Sequence, residues 1–259
     1  MTKRNGLEAE GGRAETVRLD FELGFVNRTG DSIRSALGLK STWFSFGPVV
    51  RPISETNRLF IDSAYTVFFG RAATAEETTY WAGRLEFEGR SVLIGALVAS
   101  DNWSGAQVDD LYRRALGRAA DAEGRAYWVS ILGGRTRLEF IGVQFYGSRE
   151  YFLRSGGTNE AFVAQLYRDV LLREPDQGGL NYWVSQIKSG AGYDVIAASF
   201  YYSVESRRTR AANLFVDVLG RTPSEAEIAQ RADDLLRIDD LDLAVVLGSS
   251  DEFFSNAQR

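Results

Sequence analysis

The 259-residue chain contains no cysteine and no histidine. Without cysteine there is no disulfide, no thiol nucleophile and no cysteine-based zinc site. Without histidine, neither a Ser-His-Asp triad nor an imidazole base acting at neutral pH can be assembled. Lysine is nearly missing as well: Lys3, Lys40 and Lys188 are the only three, so 27 of the 30 basic residues are arginine, whose planar fork suits bidentate pairing. Catalysis by such a chain is restricted to carboxylates, tyrosine or those lysines. No apolar run approaches the roughly 20 residues of a spanning helix, so no membrane insertion is expected. The first fifteen residues lack the apolar segment of a secretory signal. The expected location is extracellular, at a cell surface or on a particle surface, with the cytoplasm left open, since lack of cysteine selects no compartment. A net charge of −5 and a pI near 5.1 do not provide the basic footprint of a nucleic-acid binder, and no nucleic-acid partner is expected.

Residues 1–16, polar and glycine-containing, read as a flexible tail. Beyond them Val17, Leu19, Phe21, Leu23 and Phe25 alternate with polar residues and glycine, the period of a strand with one buried face. Asn27-Arg28-Thr29-Gly30 reads as a turn, and Trp43-Phe44-Ser45-Phe46, running into Gly47-Pro48 and Pro52, as a second, edge strand. Residues 17–55 are therefore expected to form a small β-hairpin that docks a protein partner through its strand edge.

From residue 61 onward the period becomes helical and repeats. Ile61, Ala64, Tyr65, Phe68 and Phe69 form one stripe; Val108, Leu111, Tyr112, Ala115 and Leu116 a second. The third is Val163, Leu166, Tyr167, Val170 and Leu171, and the fourth Ala211, Leu214, Phe215, Val218 and Leu219. Each stripe ends two residues before an arginine: Arg71, Arg118, Arg173 and Arg221. Gly70, Gly117 and Gly220 precede three of these, suiting a left-handed helix end; Leu172 stands in the third, so either positive φ is not required there or that unit closes differently. Three residues after each arginine comes a helix N-cap: Thr74, Asp121, Asp176 and Ser224. Tyr-Trp pairs recur at one offset as Tyr80-Trp81, Tyr127-Trp128 and Tyr182-Trp183, and the fourth unit lacks the pair. Closing signatures begin at Ser100, Ser148, Ser203 and Ser250, 29 or 30 residues after the arginine. The spacing predicts a mainly α fold: an array of four three-helix repeats over 56–257, with units of about 61–103, 108–155, 160–208 and 211–256.

The phrases from Leu111-Tyr112 through Gly117-Arg118 to Tyr127-Trp128, and from Leu166-Tyr167 through Arg173-Glu174-Pro175-Asp176 to Tyr182-Trp183, resemble the domain-of-unknown-function family 4214. The resemblance implies four copies with the last degenerate, as a capping repeat is. Family members belong mostly to bacterial secreted or surface proteins, and a similar phrase occurs in phycobilisome linker domains. The resemblance therefore implies a non-catalytic part at a surface or in an assembly.

Several residues invite a chemical reading. The repeated Arg71, Arg118, Arg173 and Arg221 are expected to tie each unit together, bonding helix-end carbonyls or acids such as Glu150 and Glu205 rather than a ligand. Trp81, Trp128 and Trp183 recur as packing positions do. Tyr193, Tyr201 and Tyr202 break the repeat and are the candidate ligand contacts, a surface glycan being the ligand class that aromatic faces suit. Asp109-Asp110, Asp233-Asp234 and Asp239-Asp240-Asp242 lack calcium-loop spacing, and the Gly-Gly pairs lack a following Lys-Ser/Thr, so neither a metal nor another cofactor is expected. The expectation is a non-enzymatic structural or recognition component of a bacterial surface, secreted or phage-like assembly. A purely scaffolding subunit and a carboxylate-based carbohydrate-active enzyme stand as alternatives.

Overall fold

Ser54, in extended backbone, accepts the Asn57 N–H and starts helix α1 (Glu55–Phe69). The stripe Phe60, Ile61, Ala64, Tyr65 and Phe68 is buried, and Gly70 ends the helix at φ 68°. The same grammar recurs downstream. Thr74 caps α2 (Ala75–Glu88) in a reciprocal box with Glu77, and α3 (Arg90–Val98) follows. Ser100 caps α4 (Asp101–Leu111), which continues into a π turn at Tyr112–Leu116. Asp121 caps α5 (Ala122–Gly133), followed by α6 (Leu138–Tyr146) and, behind Ser148, α7 (Arg149–Arg154). Thr158 caps α8 (Asn159–Val170), Asp176 caps α9 (Gln177–Lys188), and α10 (Tyr193–Tyr201) leads to Ser203. That serine caps α11 (Val204–Leu219). The series ends with α12 (Glu225–Asp234), α13 (Asp240–Gly248) and α14 (Asp251–Asn256), capped by Ser224, Asp239 and Ser250.

These elements belong to a computed structural model that describes residues 3–5, 13–21, 24–29, 35, 53–134 and 136–259. The chain separates into two compact units, Met1–Pro52 and Ile53–Arg259.

The N-terminal expectation is corrected. The β-hairpin expected from 17–25 paired with 43–50 is overturned: residues 17–25 are not one strand. Arg13–Phe21 pairs antiparallel with Gly24–Thr29, Phe21 opposite Gly24 and Val17 opposite Arg28, so the chain reverses inside the alternating run. A reversal within two residues leaves period-two alternation intact, and the pattern gives no sign of it. Lys3–Asn5 adds a third strand beside Arg13–Phe21, so part of the expected flexible tail is strand as well. The stretch 43–50 lies outside the described residues.

The helical expectation is corrected in its topology. An open array stacks each unit only on its neighbours. Here two cores form instead. One joins Phe60, Ile61, Phe68, Ile94 and Leu97 of the first unit to Leu235, Leu243, Leu247 and Phe253 of the fourth. The other joins Val108, Ile141, Phe145 and Tyr151 of the second to Phe162, Leu166, Ile196 and Phe200 of the third. The order 1-2-3-4 therefore closes on itself. Arg90 ties the closure by donating to the Ser250 carbonyl at 3.1 Å and pairing with Asp251, and Gln258 donates to the Thr56 carbonyl at 3.2 Å. The fourth unit does not act as a solvent-facing cap; its apolar stripes cover those of the first.

The tryptophans divide accordingly. Trp81 is buried, its indole N–H donating to the Tyr65 hydroxyl at 2.9 Å. Trp128 and Trp183 are half-buried, tilted against Phe145 and Phe200 at 5.3 and 5.2 Å. Trp81→Ala is expected to cost about 3–5 kcal/mol, and Trp128→Ala or Trp183→Ala about half of that, in urea melts of the single variants. Equal losses at all three positions would contradict this division.

Candidate functional site

The four repeated arginines share one local geometry. Each guanidinium lies over the ring six residues earlier: Arg71 on Tyr65, Arg118 on Tyr112, Arg173 on Tyr167 and Arg221 on Phe215, at 5.2, 4.9, 4.8 and 5.2 Å. Each also donates to the carbonyl of the next residue. The fork then closes on a carboxylate in the first turn of the unit's closing helix. Arg118 binds Glu150 at 2.6 and 3.1 Å, Arg173 binds Glu205 at 2.5 and 3.1 Å, and Arg221 binds Glu252. The first unit has Asn102 at that place, and Arg71 turns instead to Glu77 at 2.8 and 2.7 Å. Arg221 adds Glu227, the counterpart of Glu77. These arginines, with help from the capping threonine and serine, hold Glu77 and Glu227 down to about 2. Guanidiniums engaged in this way are unit clamps, and they present no free fork to an anion.

The tyrosines selected by sequence are not brought together. Tyr193 lies half-buried on Phe152 and Phe162, and its hydroxyl donates to Asn159 at 2.8 Å. Tyr201 is buried beneath the Arg210 guanidinium, 4.8 Å from its ring centroid, and burial pushes its phenol well above the usual range. Tyr202 is exposed. Of each Tyr-Trp pair the tryptophan turns inward, and Tyr80, Tyr127 and Tyr182 stand exposed with their rings edge-on to it.

A cavity of about 440 Å³ opens between the two long helical spans, α4 with its π turn (101–116) and α11 (204–219). Both follow a capping serine, Ser100 or Ser203, and both turn the same offsets to the cavity. Trp103, Ala106, Gln107, Asp110 and Arg114 face Ser206, Thr209, Arg210, Asn213 and Asp217. One ring of the repeat is missing from its wall. Three residues after the closing serine, the units place Trp103, Tyr151 and Phe253, all buried aromatics; the third unit places Ser206.

Three further departures from the repeat gather here. Tyr112–Leu116 is the only π turn among the described residues, and it carries Arg113 and Arg114 into the lining. Leu172 keeps the left-handed conformation of Gly70, Gly117 and Gly220 at φ 56°, with its exposed side chain on the cavity rim. At the inner wall Arg210 pairs with buried Asp240 and reaches Glu139 at 3.6 Å, and Arg137 meets Glu139 at 3.2 Å. Burial raises the carboxyls of Glu139 and Asp240 above their ordinary values. Trp103 Nε1, Ser206 Oγ, Arg210 Nε and Nη2, and Asp240 Oδ1 are buried without a hydrogen-bond partner.

Of these residues the sequence flagged Leu172 as an exception, and Asp240 only within an acidic run. Arg210 and Ser206 were missed. The closing-serine frame carries the missed signal, since it aligns Ser206 with three aromatics and Arg210 with Gln107. Leu172→Gly is expected to stabilise the protein by about 1 kcal/mol. It relieves a left-handed leucine costing roughly 1–2 kcal/mol, less the extra chain entropy of glycine. Chemical denaturation checks it; a destabilised variant would mean that the leucine side chain contributes more by packing than its exposure implies.

Among the described residues no group of three or more His, Cys, Asp or Glu side chains could hold a metal ion, and no helix is long and apolar enough to cross a membrane. Residues 142–210 match the family model of a domain of unknown function, DUF4214. Comparison with curated proteins and with solved structures returns no match to this chain.

Proposed function

We propose that the protein is a non-enzymatic recognition and structural component of a bacterial surface, secreted or phage-like assembly. In this reading Met1–Pro52 attaches it to a protein partner and the helical unit contacts a ligand, a surface glycan being the expected class. The family match over 142–210 agrees with a helical domain of this kind and supplies no activity. We extend the same unit to the other three segments, because the arginine clamp and the closing serine recur in each; the fourth is the most diverged.

One observation carries the reading. Repeated charged residues are engaged in internal clamps, whereas departures from the repeat gather at one cleft between α4 and α11. Local rules are often broken where function resides, and the missing ring, the π turn, the left-handed leucine and the buried ion cluster meet at this cleft, while other departures, such as Asn102 and the absent fourth Tyr-Trp pair, lie outside it.

The test compares attachment of the labelled full chain and of a chain lacking 1–52 to the producing cells and their secreted particles. The full chain is expected to attach and the deletion to stay soluble and helical without attaching. Attachment that survives the deletion assigns that role to the helical unit. Polysaccharide turnover abolished by Asp110→Asn or Asp217→Asn in a folded variant would favour the carbohydrate-active enzyme instead.

A further inference from the structure

We propose that the cleft between α4 and α11 binds a neutral, polyhydroxylated ring ligand, one or two sugar residues in size; this rests on the reading of the helical unit as a recognition module. Its volume of about 440 Å³ falls within the range of small-molecule pockets. The class of ligand follows from the charges. Arginines and aspartates line the wall together, and the charges are largely matched in place. Arg114 holds Asp110 at 2.7 Å and Arg210 holds Asp240. Arg154 reaches Asp169 at 3.5 Å, which leaves Asp217, among the described residues, as the lining carboxylate without an ion pair. An anion entering the cleft meets these aspartates, and a cation gains Asp217 alone while competing with the arginines for the rest, so a charged ligand is given no matched set of partners.

A sugar hydroxyl meets no such conflict. It donates to a carboxylate or an amide oxygen and accepts from a guanidinium or an amide N–H at the same time. Vicinal hydroxyls also span the two oxygens of a carboxylate or the fork of an arginine. Gln107, Thr209 and Asn213 alternate with the charged groups along the two facing helices, adding neutral donors and acceptors. Behind this wall Ser206 Oγ and Trp103 Nε1 are buried without partners and do not themselves open onto the cleft. The rim supplies an apolar surface for the C–H face of a ring through Leu172, where the other three units have glycine. The strained leucine thereby has a use: the backbone needs only glycine there, and the side chain serves the cleft.

The test titrates the full chain with glucose, galactose, N-acetylglucosamine, cellobiose and lactose by calorimetry and ligand-observed NMR. Inorganic phosphate and putrescine are the charged probes. Two variants accompany it: Ala106→Trp, which fills the cleft from an exposed position, and Asn213→Ala, which removes one polar group and keeps the fold should the bulky variant not. At least one saccharide is expected to bind, with affinity about tenfold or more weaker in each variant and unchanged helical circular dichroism. Preference for phosphate or putrescine overturns the ligand class. Saccharide binding untouched by either variant overturns the site and moves it elsewhere, for instance to the exposed Tyr80, Tyr127 and Tyr182. No saccharide binding by a chain that still attaches to its host surface overturns this inference alone. Absence of attachment together with intact saccharide binding overturns the attachment reading and leaves the cleft assignment standing.

Discussion

Arg210→Met is expected to destabilise the protein by about 3–5 kcal/mol at pH 7 and by clearly less at pH 4. Methionine keeps most of the apolar stem of arginine and removes the guanidinium, with its charge, its N–H donors and its contact over Tyr201. What remains behind is Asp240, nearly inaccessible at the first turn of α13, and Glu139, 1% exposed at the first turn of α6. Both lose the guanidinium that joins them, and Arg137, the other cation near Glu139, has a side chain 46% exposed. Asp239, Tyr201 and Tyr202 also face this cluster, and none of them supplies positive charge. The pH dependence follows from sign. Burial already raises the folded values of Glu139 and Asp240 above the ordinary 4.5 and 3.8. An acid raised in the folded state contributes stability that is complete below its unfolded value and lost as pH climbs through the folded one. Removing Arg210 raises both further, so the variant's deficit grows from about pH 4 upward. Glu77 and Glu227, lowered to about 2, act in the opposite sense: their contribution is present above the unfolded value and lost as pH falls through about 2. They are common to both proteins and cancel in the comparison. Urea melts at the two pH values check it, and an equal deficit at pH 4 and pH 7 would falsify the ionic account.

How much of this was legible in the sequence depends on how local each feature is. Stripes, caps and the arginine clamps were legible because they act within a unit: Ser203 caps α11, and Arg118 reaches an acid 32 residues away at a fixed repeat offset. The closure of the fourth unit on the first was not legible. Helical periodicity says that Leu243 and Leu247 are covered and does not say that Ile94 and Phe68 cover them. The N-terminal strands were misread for a related reason, since alternation marks faces and not reversals. The cleft sits between these cases. Leu172 was visible as an exception to glycine. Ser206 became conspicuous only against the three aromatics that share its offset, and Arg210 only against the acids that the fold brings to it from α6 and α13.

Closure itself predicts the other large effect. Removing residues 222–259 takes away α12, α13 and α14, and with them the buried Leu235, Leu243, Leu247 and Phe253. At roughly 1.5–3 kcal/mol for each large apolar side chain, the loss is about 6–12 kcal/mol, comparable to the whole stability of an ordinary domain. In an open array such a truncation removes one neighbour interface and leaves the distant first unit untouched. In the closed arrangement it uncovers Phe60, Ile61 and Phe68 on α1, together with Ile94 and Leu97 on α3. Amide hydrogen exchange distinguishes the two. Glu55–Phe69 is expected to be among the most protected helices of the full chain and to exchange nearly freely after truncation. Ala122–Gly133 and Gln177–Lys188, which serve the second core, are expected to retain more protection, because Val108, Phe145, Leu166 and Phe200 keep their neighbours. Protection of α1 that survives the truncation would show that the first unit stands without the last three helices, packed only on Ala211, Leu214, Phe215 and Val218 of α11.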